Sequence, residues 1–191
     1  LEGMMALERI IKLAYGKNHL EINLPSSNEC KWFKPAENVD GKTQVNDENL
    51  VYRLLISKLK EEREKIRNAS NIVIVTDDNT RVTPVKLLLP PVLKFLEKVN
   101  VKRKIIVAGG SHRKMTRREK EVKFGPDITK SENIIDHEWA YESAFTKVGN
   151  LSNGIDLKLN SIICDESIYL IAIGNIVPHR VCGFSGGYKI L

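Results

Sequence analysis

Apolar and polar positions change period several times along this chain, and each change marks an element. Ile11, Leu13 and Tyr15 alternate with Lys12 and Ala14, and Leu20, Ile22 and Leu24 alternate with Glu21 and Asn23. Separated by Gly16-Lys17-Asn18 and stopped by Pro25, these runs predict a β-hairpin. Residues 26–46 have no period and read as a long loop or strap. From about Asp47 the spacing of Leu50, Val51, Leu54, Leu55, Leu59 and Ile66 becomes helical, with Asn46 or Asp47 available to cap the first amides. Asn71 to Thr76 is a buried-type strand. Pro84 opens a helical pattern through Val85, Leu88, Leu89, Val92, Leu96 and Val99, which Pro90-Pro91 should kink or restart. Lys104 to Ala108 is a second strand, Thr116 and Glu119 form a capping-box pattern opening a helix that Gly125 closes, and Asp156 to Leu159 suggests a short strand. Ser167 to Ile173 is a third buried-type strand. Strands alternating with helices predict an α/β fold, a mainly parallel sheet with helices on both faces and the hairpin at an edge or as an appendage.

Composition narrows the class without choosing a function. With 42% hydrophobic and 28% charged residues among 191, the chain reads as an ordinary soluble globular protein. No run is long enough for a membrane span and no signal core follows a basic N-terminus, so a cytoplasmic address with no membrane partner is expected. Leu1-Glu2-Gly3-Met4-Met5 reads as a cloning remnant at residues 1–5. Cys30, Cys164 and Cys182 are odd in number and lack a Cys-x-x-Cys pair, which excludes a disulfide framework and a thiolate zinc site and predicts free thiols. A formal charge of +6 suits anionic partners. Lys58 to Arg67 mixes both signs and reads as a solvated helix face. Arg113, Lys114, Arg117, Arg118 and Lys120 lack interleaved aromatics, which favours a solvated helix start or a phosphate site over a nucleic-acid partner.

The chemistry gathers at strand ends. The three buried-type strands run into Asp77-Asp78-x-x-Arg81, Gly109-Gly110-x-His112-Arg113 and Gly174-x-x-x-Pro178-His179. In a parallel sheet the carboxyl ends share one edge, and ligands sit in the crevice there. Each element has a plainer reading: Asp78 and Arg81 as a helix cap and local ion pair, either histidine as a partner for a neighbouring carbonyl. Two histidines at neighbouring strand ends favour function, because imidazole exchanges protons near neutrality. His19, placed in the hairpin turn, and His137, beside Asp136, carry little information. Gly183-Phe-Ser-Gly-Gly187 satisfies the nucleophile-elbow pattern, but a hydrolase needs its acid and histidine after Ser185, where only six residues follow. The same glycines, with Lys189 behind them, suit close backbone approach to a ligand.

Tyr15-Gly16-Lys17, the segment from Asp77 to Pro84, Ala108-Gly109-Gly110-Ser111-His112, Gly174 to His179 and Gly183 to Lys189 stand in an order that resembles the N-terminal domain of the nickel-pincer lactate racemase family. The resemblance implies a 2-hydroxy-acid racemase or epimerase using a nickel-pincer nucleotide, nickel held by a nicotinate-derived nucleotide that is tethered to a lysine. It implies Lys189 as the tether, His112 and His179 as the acid/base pair, and Arg81 on the substrate carboxylate. Asp78, Ser185, Gly186 and Gly187 would bind the cofactor. The family's metal-ligating histidine and a further substrate-binding lysine lie past the position of Leu191, with the C-terminal domain, so no metal ligand is expected in this chain. The resemblance therefore implies an N-terminal fragment, inactive alone and without cofactor when isolated. Gly149 to Gly154 departs from the threonine-containing pattern of the family. The alternative from the residues alone is a stand-alone nucleotide- or anion-binding α/β module without turnover.

Overall fold

The computed structural model of the chain describes residues 9–15, 17–24, 48–179 and 183–191. Residues 1–5, the predicted strap at 26–46, Cys30 and Cys182 lie outside them. The chain divides into two compact units, Leu1–Gln44 and Val45–Leu191.

In the first unit β1 (Arg9–Tyr15) pairs antiparallel with β2 (Asn18–Leu24), Tyr15 opposite Asn18, as alternation predicts. Among the described residues the hairpin is a two-stranded sheet of its own. His19 stands within β2 opposite Ala14, exposed to solvent, rather than in the turn. The Lys12–Glu21 pair across the strands, at 2.9 Å, is exposed and contributes at most about 1 kcal/mol.

The second unit runs α1 (Glu48–Glu61), α2 (Arg63–Asn68), β3 (Asn71–Asp77), α3 (Val85–Val99), β4 (Arg103–Ala108), α4 (Arg117–Phe124), α5 (Pro126–Ser131), β5 (Ile134–Asp136), β6 (Phe145–Asn150), β7 (Asp156–Asn160), β8 (Ile168–Ile173), β9 (Val177–His179) and β10 (Gly183–Ser185), with 3-10 turns at Glu142–Ala144, Ser161–Ile163 and Gly187–Ile190. Four strands form a parallel sheet in the order β5-β4-β3-β8. Side chains alternate across it. Ile72, Ile74, Ile105 and Val107 face a core shared with all five α-helices, while Val73, Val75 and Ile106 face Ile162, Ile163, Ile190 and Leu191 of two 3-10 turns and the chain end. Among the described residues α-helices cover one face, and 3-10 turns with the chain end cover the other.

The helix expected to run to Ile66 breaks at Glu62 into α1 and α2, which bury Leu59 and Ile66. Pro90 and Pro91 neither stop nor restart α3. Each interior proline costs about 3 kcal/mol. The burial of Val85, Leu89, Val92, Leu93 and Leu96, at about 1.5–3 kcal/mol each, outweighs that. The Ser167–Ile173 strand is an edge strand, fully burying only Ile173, because β8 has β3 on one side alone. Asp156 to Leu159 does form a strand, β7, but it pairs antiparallel with β6 in a separate ribbon with a register shift between Lys147 and Gly149.

The capping box forms: Thr116 Oγ1 accepts from Glu119 N at 3.3 Å, and Glu119 Oε2 accepts from Thr116 N at 2.8 Å. Arg113 then forks onto both Glu119 oxygens, at 2.7 and 2.9 Å, and Asn79 Nδ2 donates to the same carboxylate at 3.0 Å. Arg113 and the Thr116 donors hold the Glu119 carboxyl at about 2. Most of the basic cluster is similarly engaged, Arg117 with Glu121, Lys114 with Glu138, and Lys120 with Asp136 at 2.6 Å. Among the described residues no helix is long and apolar enough to cross a membrane.

Candidate functional site

Because β4, β3 and β8 are adjacent and parallel, their C-terminal ends open onto one edge, where a cavity of about 400 Å³ lies. The loop after β3 is built around two consecutive carboxylates with separate tasks. Asp77 is buried, receives the Thr83 hydroxyl and pairs with Lys123 Nζ at 2.7 Å. Lys123, also buried, donates to the Arg81 carbonyl at 2.8 Å, so α4 clamps this loop from below. Asp78 lines the cavity. Its Oδ1 accepts from Thr80 N at 3.0 Å and Thr80 Oγ1 at 2.6 Å, and its Oδ2 meets His112 Nδ1 at 2.6 Å. Burial alone would raise the Asp78 carboxyl, but the bonds from Thr80 and His112 outweigh it and hold the group below the ordinary carboxylate range. A carboxylate on Nδ1 fixes the proton there and leaves Nε2 of His112 with its lone pair.

Arg81 and Lys189 line the same cavity. The Lys189 amine is 3.5 Å from His179 Nε2, and among the described residues neither Arg81 nor Lys189 pairs with a carboxylate. The stretch expected to be a glycine loop is instead β10, paired antiparallel with β9 so that Gly183 faces His179, followed by a 3-10 turn that carries Lys189. Gly186, at φ +82, is required by its own chain: an added Cβ would lie 1.8 Å from the Asn175 carbonyl oxygen. Gly186→Ala is expected to lower stability by at least about 2 kcal/mol, read by urea unfolding, since both a left-handed backbone and a backbone clash must be relieved. An unchanged midpoint would show that the crossing is not rigid.

A model of the lactate racemase N-terminal domain matches residues 15–191 of this chain. The chain belongs to the lactate racemase N-terminal domain family. It is 32% identical over 183 residues to the lactate racemase of Thermoanaerobacterium thermosaccharolyticum, covering 94% of this chain and 42% of that relative. It is 37% identical over 128 residues to the lactate racemase of Lactiplantibacillus plantarum, covering 66% of this chain and 30% of the relative. The solved lactate racemase apoprotein from T. thermosaccharolyticum superposes with a TM-score of 0.70 at 31% identity, over 95% of this chain and 42% of that one. The chain therefore spans less than half the length of these racemases.

Of the residues singled out in the sequence of this family member, Asp78, Arg81, His112, Ser185, Gly186 and Lys189 line one cavity. Ser185 is buried at its wall. His179 does not line it and reaches it through Lys189, and Gly187 opens the 3-10 turn at φ +56. Both oxygens of Asp78 are engaged within the chain, by Thr80 and His112. His137 and Asn160, which the sequence reading set aside or passed over, also line the cavity. His137 follows β5, a strand of three residues, too short to show a period. The signal that finds it is the repeat of the other strand ends: the apolar pair Ile134-Ile135 running directly into Asp136-His137. Burial lowers the His137 pKa below the ordinary imidazole value, with Glu138 opposing.

Proposed function

We propose that this chain supplies the N-terminal part of a cytoplasmic 2-hydroxy-acid racemase or epimerase in which a nickel-pincer nucleotide is tethered to Lys189. One observation carries the reading: a lysine amine without a carboxylate partner among the described residues lies 3.5 Å from an imidazole nitrogen, on the wall of the cavity that also holds the Asp78–His112 pair. An amine to be acylated must shed its proton, and His179 Nε2 is placed to take it. Among the described residues no three His, Cys, Asp or Glu side chains cluster to hold a metal. The residues present thus fit the organic part of the group, through its lysine linkage.

When bound, such a group supplies an acceptor and donor for the hydride of the substrate carbon. The chain's own residues do the rest. Arg81 offers a planar fork for the carboxylate of a small 2-hydroxy acid, holding it while the reacting carbon becomes trigonal. His112 Nε2 takes the hydroxyl proton, and Asp78 stabilises the imidazolium that results. His179, beside Lys189 rather than in the cavity lining, is assigned the return of a proton from the Lys189 side of the site. Enclosure of the site is assigned to the C-terminal domain that the longer relatives have room for.

Intact-mass and peptide mass spectrometry of the native protein from its host test the reading. An adduct confined to Lys189, absent from a Lys189→Arg variant, with nickel rising in proportion, is the expected result. Active protein with unmodified Lys189 overturns it, and a cavity that binds nucleotide without turnover would favour the stand-alone module.

A further inference from the structure

The reaction outlined above leaves His137 without a task, although it lines the same cavity from the end of β5. Its Nδ1 lies 2.9 Å from Asn160 Nδ2. An amide NH2 only donates, so Nδ1 is the acceptor. The amide cannot be turned over, because Asn160 Oδ1 accepts the Ile162 N–H at 2.9 Å and a flip would set two donors against each other. A neutral imidazole with its lone pair on Nδ1 carries its proton on Nε2. Phe145 meets the ring edge to face, centroids 5.2 Å apart, and holds its plane. Burial keeps the ring on the neutral side. Among the described residues Nε2 has no hydrogen-bond partner.

His112 and His137 both line one cavity and carry their protons on opposite ring nitrogens. His112, with a carboxylate on Nδ1, offers a lone pair at Nε2; His137, with an amide NH2 on Nδ1, offers an N–H at Nε2. One is built to take a proton and the other to donate a hydrogen bond without losing its proton. We propose that His137 is a ligand-binding residue of this cavity, donating its Nε2–H to an oxygen of a bound anion, and that Asn160 is the positioning residue that selects this tautomer. The identity of the anion rests on the racemase reading: the acceptor is an oxyanion, either the hydroxy-acid carboxylate or the phosphate of the tethered nucleotide.

The test uses the native protein and two substitutions. Gln at this position keeps an N–H at roughly the reach of Nε2, whereas Leu keeps bulk and removes the donor. With histidine labelled by 15N, the wild-type His137 ring is expected to carry its proton on Nε2 and not on Nδ1, and the reverse tautomer overturns the proposal. If the oxygen belongs to the substrate, His137→Leu raises KM for lactate about ten- to a hundredfold with kcat and the Lys189 adduct fraction little changed, the size expected for one hydrogen bond to a charged group. If it belongs to the nucleotide, His137→Leu lowers the adduct fraction instead. In either case His137→Gln stays within about threefold of wild type. His137→Leu matching wild type in both readouts overturns the proposal, and so does His137→Gln failing as badly as His137→Leu at unchanged melting temperature, which would mark a packing role. Wild-type protein with no adduct removes the racemase reading, not this one; titration of the His137 Nε2–H signal with lactate and inorganic phosphate then decides, and no shift with either overturns it.

Discussion

Asp78→Asn is expected to reduce turnover as severely as His112→Ala, by about a hundred- to ten-thousand-fold, the usual contribution of a positioned acid/base group. The reason lies in how the carboxylate is held. Thr80 N and Thr80 Oγ1 both donate to Asp78 Oδ1, so an asparagine must keep its carbonyl oxygen there and turn its NH2 toward His112 Nδ1. That amide would force the His112 proton from Nδ1 to Nε2 and remove the lone pair proposed to take the hydroxyl proton. On the proposed reading KM for the hydroxy acid should move by no more than a few-fold, because Arg81, the proposed partner of the substrate carboxylate, is untouched. Steady-state kinetics of both variants decide the matter. An Asp78→Asn enzyme retaining more than a tenth of wild-type turnover would sink the assignment of His112 as the base.

The largest stability effect is expected at a residue remote from any reacting atom. Lys123→Met should cost about 3–5 kcal/mol, because it strands the Asp77 carboxylate in the interior with only the Thr83 hydroxyl for company. The same substitution frees the Arg81 carbonyl, so the loop that aims Arg81 and Asp78 loses its anchor to α4. Urea unfolding measures the loss. The double variant Lys123→Met, Asp77→Leu should recover most of it, since replacing both partners of a buried pair is far cheaper than removing one. A single variant within about 1 kcal/mol of wild type would show that water reaches Asp77.

Much of the site was legible in the sequence because parallel strands impose it. Once Asn71 to Thr76, Lys104 to Ala108 and Ser167 to Ile173 were read as strands, their trailing polar residues had to meet along one edge, and Asp78, Arg81 and His112 do. The capping box at Thr116 was equally legible, being a bond between residues three apart. Other features were not. β5 and β9 are three residues each, and β10 as well, shorter than any period that a pattern can reveal. The continuity of α3 through Pro90 and Pro91 was not legible, because local propensity takes no account of five side chains packed in the core.

By itself the sequence determined the α/β class, the parallel strands and the residue types brought to their ends, since these follow from periodicity and from chain direction alone. Only the tertiary structure decided what each side chain does there. The adjacent carboxylates Asp77 and Asp78 are indistinguishable in sequence, yet one is sealed against Lys123 and the other faces the cavity beneath His112. His112 and His137 are the same residue type, and a carboxylate behind one and an amide behind the other put their protons on opposite ring nitrogens. Such partners lie tens of positions apart in the chain, 34 for Asp78 and His112, and hydrogen-bond chemistry becomes specific only when folding has set the distance.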